Sequence, residues 1–149
     1  MMNHYASQHT IPDAGREREA AVQRVHVALA EASAHEYAEV WIDHNKFPAL
    51  GGLIHADRGW LMLIRYDGDA GYSSRGAEEA AHSAEELDFL LGNGQRDLYP
   101  LAWTLPTADV LSALRHFAAS RQVPESIRWH NDTGDSSSGP NDARFHEPE

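Results

Sequence analysis

Apolar positions recur along this chain at two different periods. Between Arg16 and Ser33, Val22, Val25, Leu29 and Ala32 return at steps of three and four, while Glu17, Arg18, Gln23, Arg24 and Glu31 fall mostly on other faces. Side chains three or four apart share one side of a helix, so the segment predicts an amphipathic helix laid over a core. Pro12 and Asp13 mark its start, with Asp13 a candidate cap. A second helix is predicted from Pro106 and Thr107, with Thr107 as cap and Asp109 in the first turn. Val110, Leu111, Leu114, Phe117 and Ala118 form its apolar stripe, Arg121 stands in its last turn, and Pro124 blocks its continuation.

Between the helices the pattern shortens. EYAEVWID is rich in aromatic and β-branched residues and predicts a strand, broken by HNKFP. ALGGLIHA is a second strand, weakened or bulged at Gly51 and Gly52. Asp57 to Gly59 is a tight turn before WLMLIRY, Trp60 to Tyr66, whose nearly continuous apolar run suits a central strand. Gly71 to Ser74 forms a further short strand. In ELDFLLGNGQRDLYPLAW, Leu87, Phe89 and Leu91 alternate with polar or less apolar positions, and the Asn-Gly pair in GNGQ predicts a hairpin turn. Pro100 places the returning strand at an edge or a bend. ESIRWH closes the series, with Ile127 and Trp129 on one face. Strands joined by tight turns imply an antiparallel meander with helices on one face. The expected fold is α+β: a mainly antiparallel sheet of five to seven strands with two principal helices. Residues 1–12 form a disordered lead, 13–132 a single domain, and 133–149 a low-complexity acidic tail that cannot pack a core.

Composition narrows the function classes. The 149 residues suffice for one domain with a core. The formal charge of -11 disfavours nucleic-acid backbones and anionic membrane surfaces, and favours a basic partner. The sequence has no cysteine, which excludes disulfides, thiolate metal sites and cysteine nucleophiles. No stretch has the apolar length of a membrane-spanning helix, and MMNHYASQHTIPDAG has no secretory apolar region, so the cytoplasm is expected.

The segment RYDGDAGYSSRG, Arg65 to Gly76, gathers two aspartates, three glycines and two serines. Asp67 and Asp69 take the first and third positions of a calcium-loop spacing, and Glu78 the twelfth. The fifth position, Gly71, offers no ligand and the sixth is Tyr72 rather than the required glycine, so calcium is not expected. No phosphate-loop pattern is present. Ser73 and Ser74 lie outside any nucleophile-elbow motif, and the ten histidines show no zinc spacing. The four tryptophans lie in or beside strands, where core packing is their ordinary role. The segment is best taken as a turn with a charged rim. No catalytic residue, cofactor or metal is expected.

WLMLIRYDGDAGYSSRG followed by ELDFLLGNGQRDLYPLAWTLPTADVLSALRHFAASRQVPESIRWHND resembles the Imm1-type immunity proteins of bacterial polymorphic toxin systems. In that family a strand ends in a glycine-rich turn before an SRG-like element. A hairpin and a proline-containing strand lead to a helix and a closing strand, here with Pro124, Ile127 and Trp129. The similarity spans about Val40 to Asp132. It implies a small non-enzymatic α+β protein that binds and neutralises a cognate toxin domain, typically a nucleic-acid deaminase, by occluding its active site. The free chain would be a monomer or weak homodimer. The expected partner-binding residues are Asp67, Asp69, Tyr72, Arg75, Glu78, Glu79, Glu85 and Glu86, as loop-borne charged or aromatic side chains. Two other classes stay open: a small hydrolase using Ser73, Ser74 or the His55 and Asp57 pair, and a regulatory or scaffold module paired through a strand edge.

Overall fold

The computed structural model describes residues 9–11, 18–42, 46–76, 84–134 and 139–141. The apolar run read as a central strand becomes β4 (Arg58–Ile64), paired antiparallel with β3 (Ala49–His55) on one side and β5 (Tyr72–Arg75) on the other. β2 (Tyr37–Ile42) pairs antiparallel with β3, and β9 (Arg128–Asn131) with β5. β1 (His9–Ile11) adds to β2 in parallel, and the two-residue β8 (Leu105–Pro106) pairs the start of β4. The sheet runs β1-β2-β3-β4-β5-β9, and β6 (Glu86–Leu90) and β7 (Arg96–Pro100) form a two-stranded hairpin that is not hydrogen-bonded into it as a strand. The fold is α+β and mainly antiparallel, as expected.

Alternation along the strands divides the core in two. On one face Val40, Ile42, Leu50, Ile54, Leu61 and Leu63 pack under α1 (Arg18–Ser33) and α2 (Thr107–Ser120). Val25, Leu29 and Ala32 of α1 and Val110, Leu114 and Phe117 of α2 are buried against them, and Val22 and Leu111 pack at the margin. Each fully buried large aliphatic or aromatic side chain contributes about 1.5–3 kcal/mol, so this layer holds most of the stability. α2 approaches closely because Gly59 has no side chain: a Cβ there would meet Val110 at 2.8 Å and the Leu53 carbonyl at 2.9 Å.

Several local expectations shift. His9–Ile11, placed by sequence in the lead, forms β1; three residues are too few to display a period, and the strand exists through its pairing with β2. Thr107 is not the cap of α2. Pro106 holds that position without a side-chain bond, and Thr107 Oγ1 instead donates to the Ala56 carbonyl at 2.9 Å. The turn before β4 is accordingly at Ala56 and Asp57, with Ala56 at a φ of 55°. Arg121 ends α2 as its left-handed cap and donates from Nη2 to the Phe47 carbonyl at 2.9 Å. In the tail, Asn141 accepts from Val123 N at 2.8 Å and donates to its carbonyl at 2.9 Å, copying a strand partner with one side chain. Asp13 lies outside the described residues.

Candidate partner-binding face

The second face of the sheet is covered by the β6–β7 hairpin, and the hairpin's own alternation decides what it shows to solvent. Leu87, Phe89, Leu91 and Tyr99 point inward against Leu53 and Trp60. Phe89 is fully buried, and the Tyr99 ring stacks on Trp60 at 4.3 Å. Trp103, in the single helical turn Leu101–Trp103 that follows β7, continues the stack at 6.1 Å from Trp60. Burial in this aromatic layer pushes the Tyr99 hydroxyl up to about 12, helped by its hydrogen bond to Asp97.

The alternate positions face outward. The register sets Glu86 opposite Pro100, Asp88 opposite Leu98 and Leu90 opposite Arg96. Leu98 is 62% exposed, an apolar centre that the strand pattern holds away from the core. On the same side of the hairpin Glu86 stands exposed, and Glu85 is exposed just before β6, whereas Asp97 lies on the inner side and accepts from the Tyr99 hydroxyl. Nearby, Arg96 Nη1 is bound to Asp88 Oδ2 at 2.7 Å, and Tyr37 donates its hydroxyl to the same oxygen at 2.8 Å. Burial alone would raise the Asp88 pKa, but the bonds from Tyr37 and Arg96 and the nearby His55 hold it below the ordinary carboxylate value. His55 stacks on Tyr37 at 4.3 Å, with its Nδ1 2.8 Å from the Asp88 carbonyl and its Nε2 3.2 Å from Glu36. At the other end Glu39 accepts from Gly92 N at 2.9 Å and from Trp41 Nε1 at 2.8 Å. The hairpin is thus fastened at both ends and in its middle.

The sequence-nominated residues scatter. Glu85 and Glu86 stand exposed at the mouth of this hairpin. Asp67 is exposed in the turn after β4, away from it. Asp69 and Tyr72 are buried, at 8% and 3% exposure, so they are not the loop-borne surface side chains expected. Asp69 closes an ion pair with Arg65, and Tyr72 takes a core position in β5, since alternation turns it toward the helices. Arg75 ends β5, half-buried beside Trp103. Glu78 and Glu79 lie outside the described residues. Leu98, Asp88 and Arg96 escaped the sequence reading. The alternation in RDLYP, which turns Leu98 away from Tyr99, was the available signal.

The serine chemistry takes a definite geometry. Ser73 Oγ donates to Asp132 Oδ2 at 2.7 Å, and the other oxygen of that carboxylate lies 2.6 Å from His130 Nδ1. The acid stands between serine and histidine, whereas activating a hydroxyl needs the histidine beside it. Ser74 is a strand residue that accepts from Leu61 N and donates to the Trp103 carbonyl. His55 meets Glu36 and Asp88, not Asp57. A cavity of about 440 Å³ opens between α2 and the start of β9, and among the described residues its lining includes Arg75, Asp109, Ser112, Ile127 and Arg128 but no histidine. Among the described residues no group of three histidines or carboxylates is placed to hold a metal ion, and no helix is long and apolar enough to cross a membrane.

The outward side of the hairpin thus presents an exposed leucine among charged side chains. A family model described as immunity protein Imm1 matches residues 11–131 of the chain. No curated protein matches it.

Proposed function

The chain belongs to the Imm1 family of immunity proteins, and on that premise we propose that it neutralises a cognate toxin by seating the outward face of the β6–β7 hairpin over the toxin's active site. The family implies a toxin protein as partner and a binding rather than a catalytic role. In this reading the toxin is a nucleic-acid deaminase domain, the encounter takes place in the cytoplasm, and the free chain is a monomer or weak homodimer. The observation that carries the choice of face is Leu98, 62% exposed on the outward side of a hairpin that also carries exposed Glu86 and the Asp88–Arg96 pair. Buried apolar anchors supply most interface energy, and a charged rim supplies encounter rate and register. A net charge of -11 suits a toxin whose substrate groove is basic, because carboxylates take the place of phosphates there.

The test uses the purified chain and the toxin domain encoded beside it. Leu98→Asp is expected to weaken binding by about 30-fold or more, the scale of a hot-spot loss. Reversal of Glu85 and Glu86 to lysine should slow association and flatten its dependence on salt. Unchanged affinity and unchanged association in both variants would remove the hairpin from the interface.

A further inference from the structure

β5 and β9 set Arg75 directly opposite Arg128. Like charges in that relation destabilise an antiparallel pair unless something negative lies between them. Arg128 Nη1 donates to the Gly76 carbonyl at 3.1 Å. The Arg75 guanidinium lies over the Trp103 ring, its carbon 4.0 Å from the ring centroid. Its Nη1 donates to Ser73 Oγ at 3.0 Å and to the Ser74 carbonyl at 2.7 Å. Nε and Nη2 meet no acceptor among the described residues. Asp132, whose charge acts on Arg75, has one oxygen engaged by Ser73 and the other by His130.

Arg65 shows what that edge is for. It uses Nε and Nη2 to grip Asp69, at 2.9 and 3.2 Å. The same two nitrogens form the side of the guanidinium fork that matches both oxygens of a carboxylate. In Arg75 the guanidinium is braced by Trp103 and Ser73, and this edge meets no acceptor among the described residues. Burial sets the Arg75 pKa below the ordinary guanidinium value, and Asp132 only partly restores it, as expected of a cation with too little compensating charge.

We propose that Arg75, braced on Trp103 with Arg128 opposite, is a carboxylate-binding site whose ligand is an aspartate or glutamate side chain of the toxin. The inference rests on the immunity reading for its partner, though not for its chemistry. Trp103 touches the inner side of the hairpin through Tyr99, their rings 6.0 Å apart, so the site adjoins the element that carries the proposed interface. An acidic face attracts any basic surface. A fixed cation at its margin accepts only a partner with an acid in the matching place, and so sets register and rejects other toxins. A nucleic-acid phosphate is the other anion of suitable shape, but a chain carrying -11 repels a polyanion.

The test has two arms. In the first, the full chain labelled with ¹⁵N is titrated with the peptide acetyl-Gly-Asp-Gly-amide while the Arg75 Nε–H resonance is followed. The asparagine analogue and a single-stranded oligonucleotide serve as comparisons. The aspartyl peptide should shift this resonance saturably, and the asparaginyl peptide should not. Arg75→Lys keeps the charge but loses the fork, and should weaken peptide binding, followed through the remaining shifted resonances, by about tenfold. Arg75→Gln should abolish it. An unmoved resonance, equal response to the asparaginyl peptide, or tighter binding of the oligonucleotide each overturns the proposal.

In the second arm, Arg75→Lys should weaken toxin binding by about tenfold, read beside Leu98→Asp. Peptide binding lost with toxin affinity unchanged overturns the toxin as the source of the carboxylate. Loss at Arg75 with no loss at Leu98 supports the site and instead removes the hairpin reading.

Discussion

Two arginines end neighbouring strands, Arg65 after β4 and Arg75 in β5, and each lies over aromatic rings. Arg65 sits 5.1 Å from the Tyr72 ring centroid and 5.6 Å from that of Tyr66, and Arg75 sits 4.0 Å from that of Trp103. The difference is in what answers the charge. The Arg65 and Asp69 side chains are 2% and 0% exposed and share two side-chain hydrogen bonds, and Asp69 Oδ2 also accepts from Arg65 N at 2.9 Å. Arg75 is half-buried, faces a second arginine, and borders an acid already engaged. The first pair is closed on itself and serves the fold. The second has no partner for its pairing edge among the described residues.

Breaking the closed pair should produce the largest effect. Asp69→Asn leaves a buried guanidinium without its counter-charge, which costs about 3–5 kcal/mol in folding stability, measurable by urea unfolding at neutral pH. A loss below about 1 kcal/mol would mean that Arg65 is as open to water as Arg75. The same pair shapes the acid limb. Burial alone would raise the Asp69 pKa. The hydrogen bonds from Arg65 and from the Gly71 backbone, with the Arg65 charge, bring it below the ordinary carboxylate value. A carboxyl whose folded pKa is lowered stabilises above its unfolded pKa, about 3.9, and loses that contribution as pH falls through the folded value. The wild-type chain should therefore lose stability below about pH 4 more steeply than Asp69→Asn, which has no carboxylate there to protonate.

Gly76→Ala should have an intermediate effect, and it probes the open arginine through its support. A Cβ at Gly76 would meet the Thr104 carbonyl at 2.5 Å and that of Ala102 at 2.8 Å. Those carbonyls belong to the segment that carries Trp103, and Gly76 N donates to Ala102 O at 2.7 Å. Forcing the segment outward costs about 1–3 kcal/mol and should draw Trp103 from beneath Arg75, which a shift in tryptophan emission would record. An unchanged emission spectrum with full stability would show that the two segments move independently.

The sequence reading of RYDGDAGYSSRG as a single charged-rim turn merged these two sites. Asp67 and Asp69 are alike in sequence, each an aspartate beside Gly68. Only the closure of the turn selects Asp69 for Arg65, and it leaves Asp67 exposed. Local periodicity served well where burial is one-sided: Val110, Leu114, Phe117 and Ala118 of α2 are buried as read, and Val25, Leu29 and Ala32 of α1 likewise. It failed where a side chain answers to a distant partner. Thr107 has the chemistry of a cap, yet its hydroxyl is taken by Ala56. Of the candidate face, Glu85 and Glu86 were legible as exposed acids in a polar run. Leu98 was not, because a leucine in a strand reads as core until the register of β7 against β6 turns it outward. The Arg75–Trp103 stack joins two segments that no local pattern connects.

The smallest expected effect is the one that separates a functional arginine from a structural one. Arg75→Ala removes a cation–π contact that contributes about 0.5–1 kcal/mol at an exposed site. It also removes the repulsion from Arg128 across the strand pair, worth about 0.2–1 kcal/mol. These two terms oppose each other, and the lost bonds to Ser73 and the Ser74 carbonyl add to the cost, so stability should fall by no more than about 1 kcal/mol. Arg128→Ala relieves the same repulsion but loses the bond to the Gly76 carbonyl, and should change stability by less than about 1 kcal/mol in the same urea titration. A loss of 2 kcal/mol or more at Arg75, roughly the scale of a removed buried hydrogen-bond partner, would make its guanidinium part of the fold, as Arg65 is. An arginine that the fold can lose at little cost, yet whose fork is held open by Trp103 and Ser73, is one whose geometry answers to a ligand.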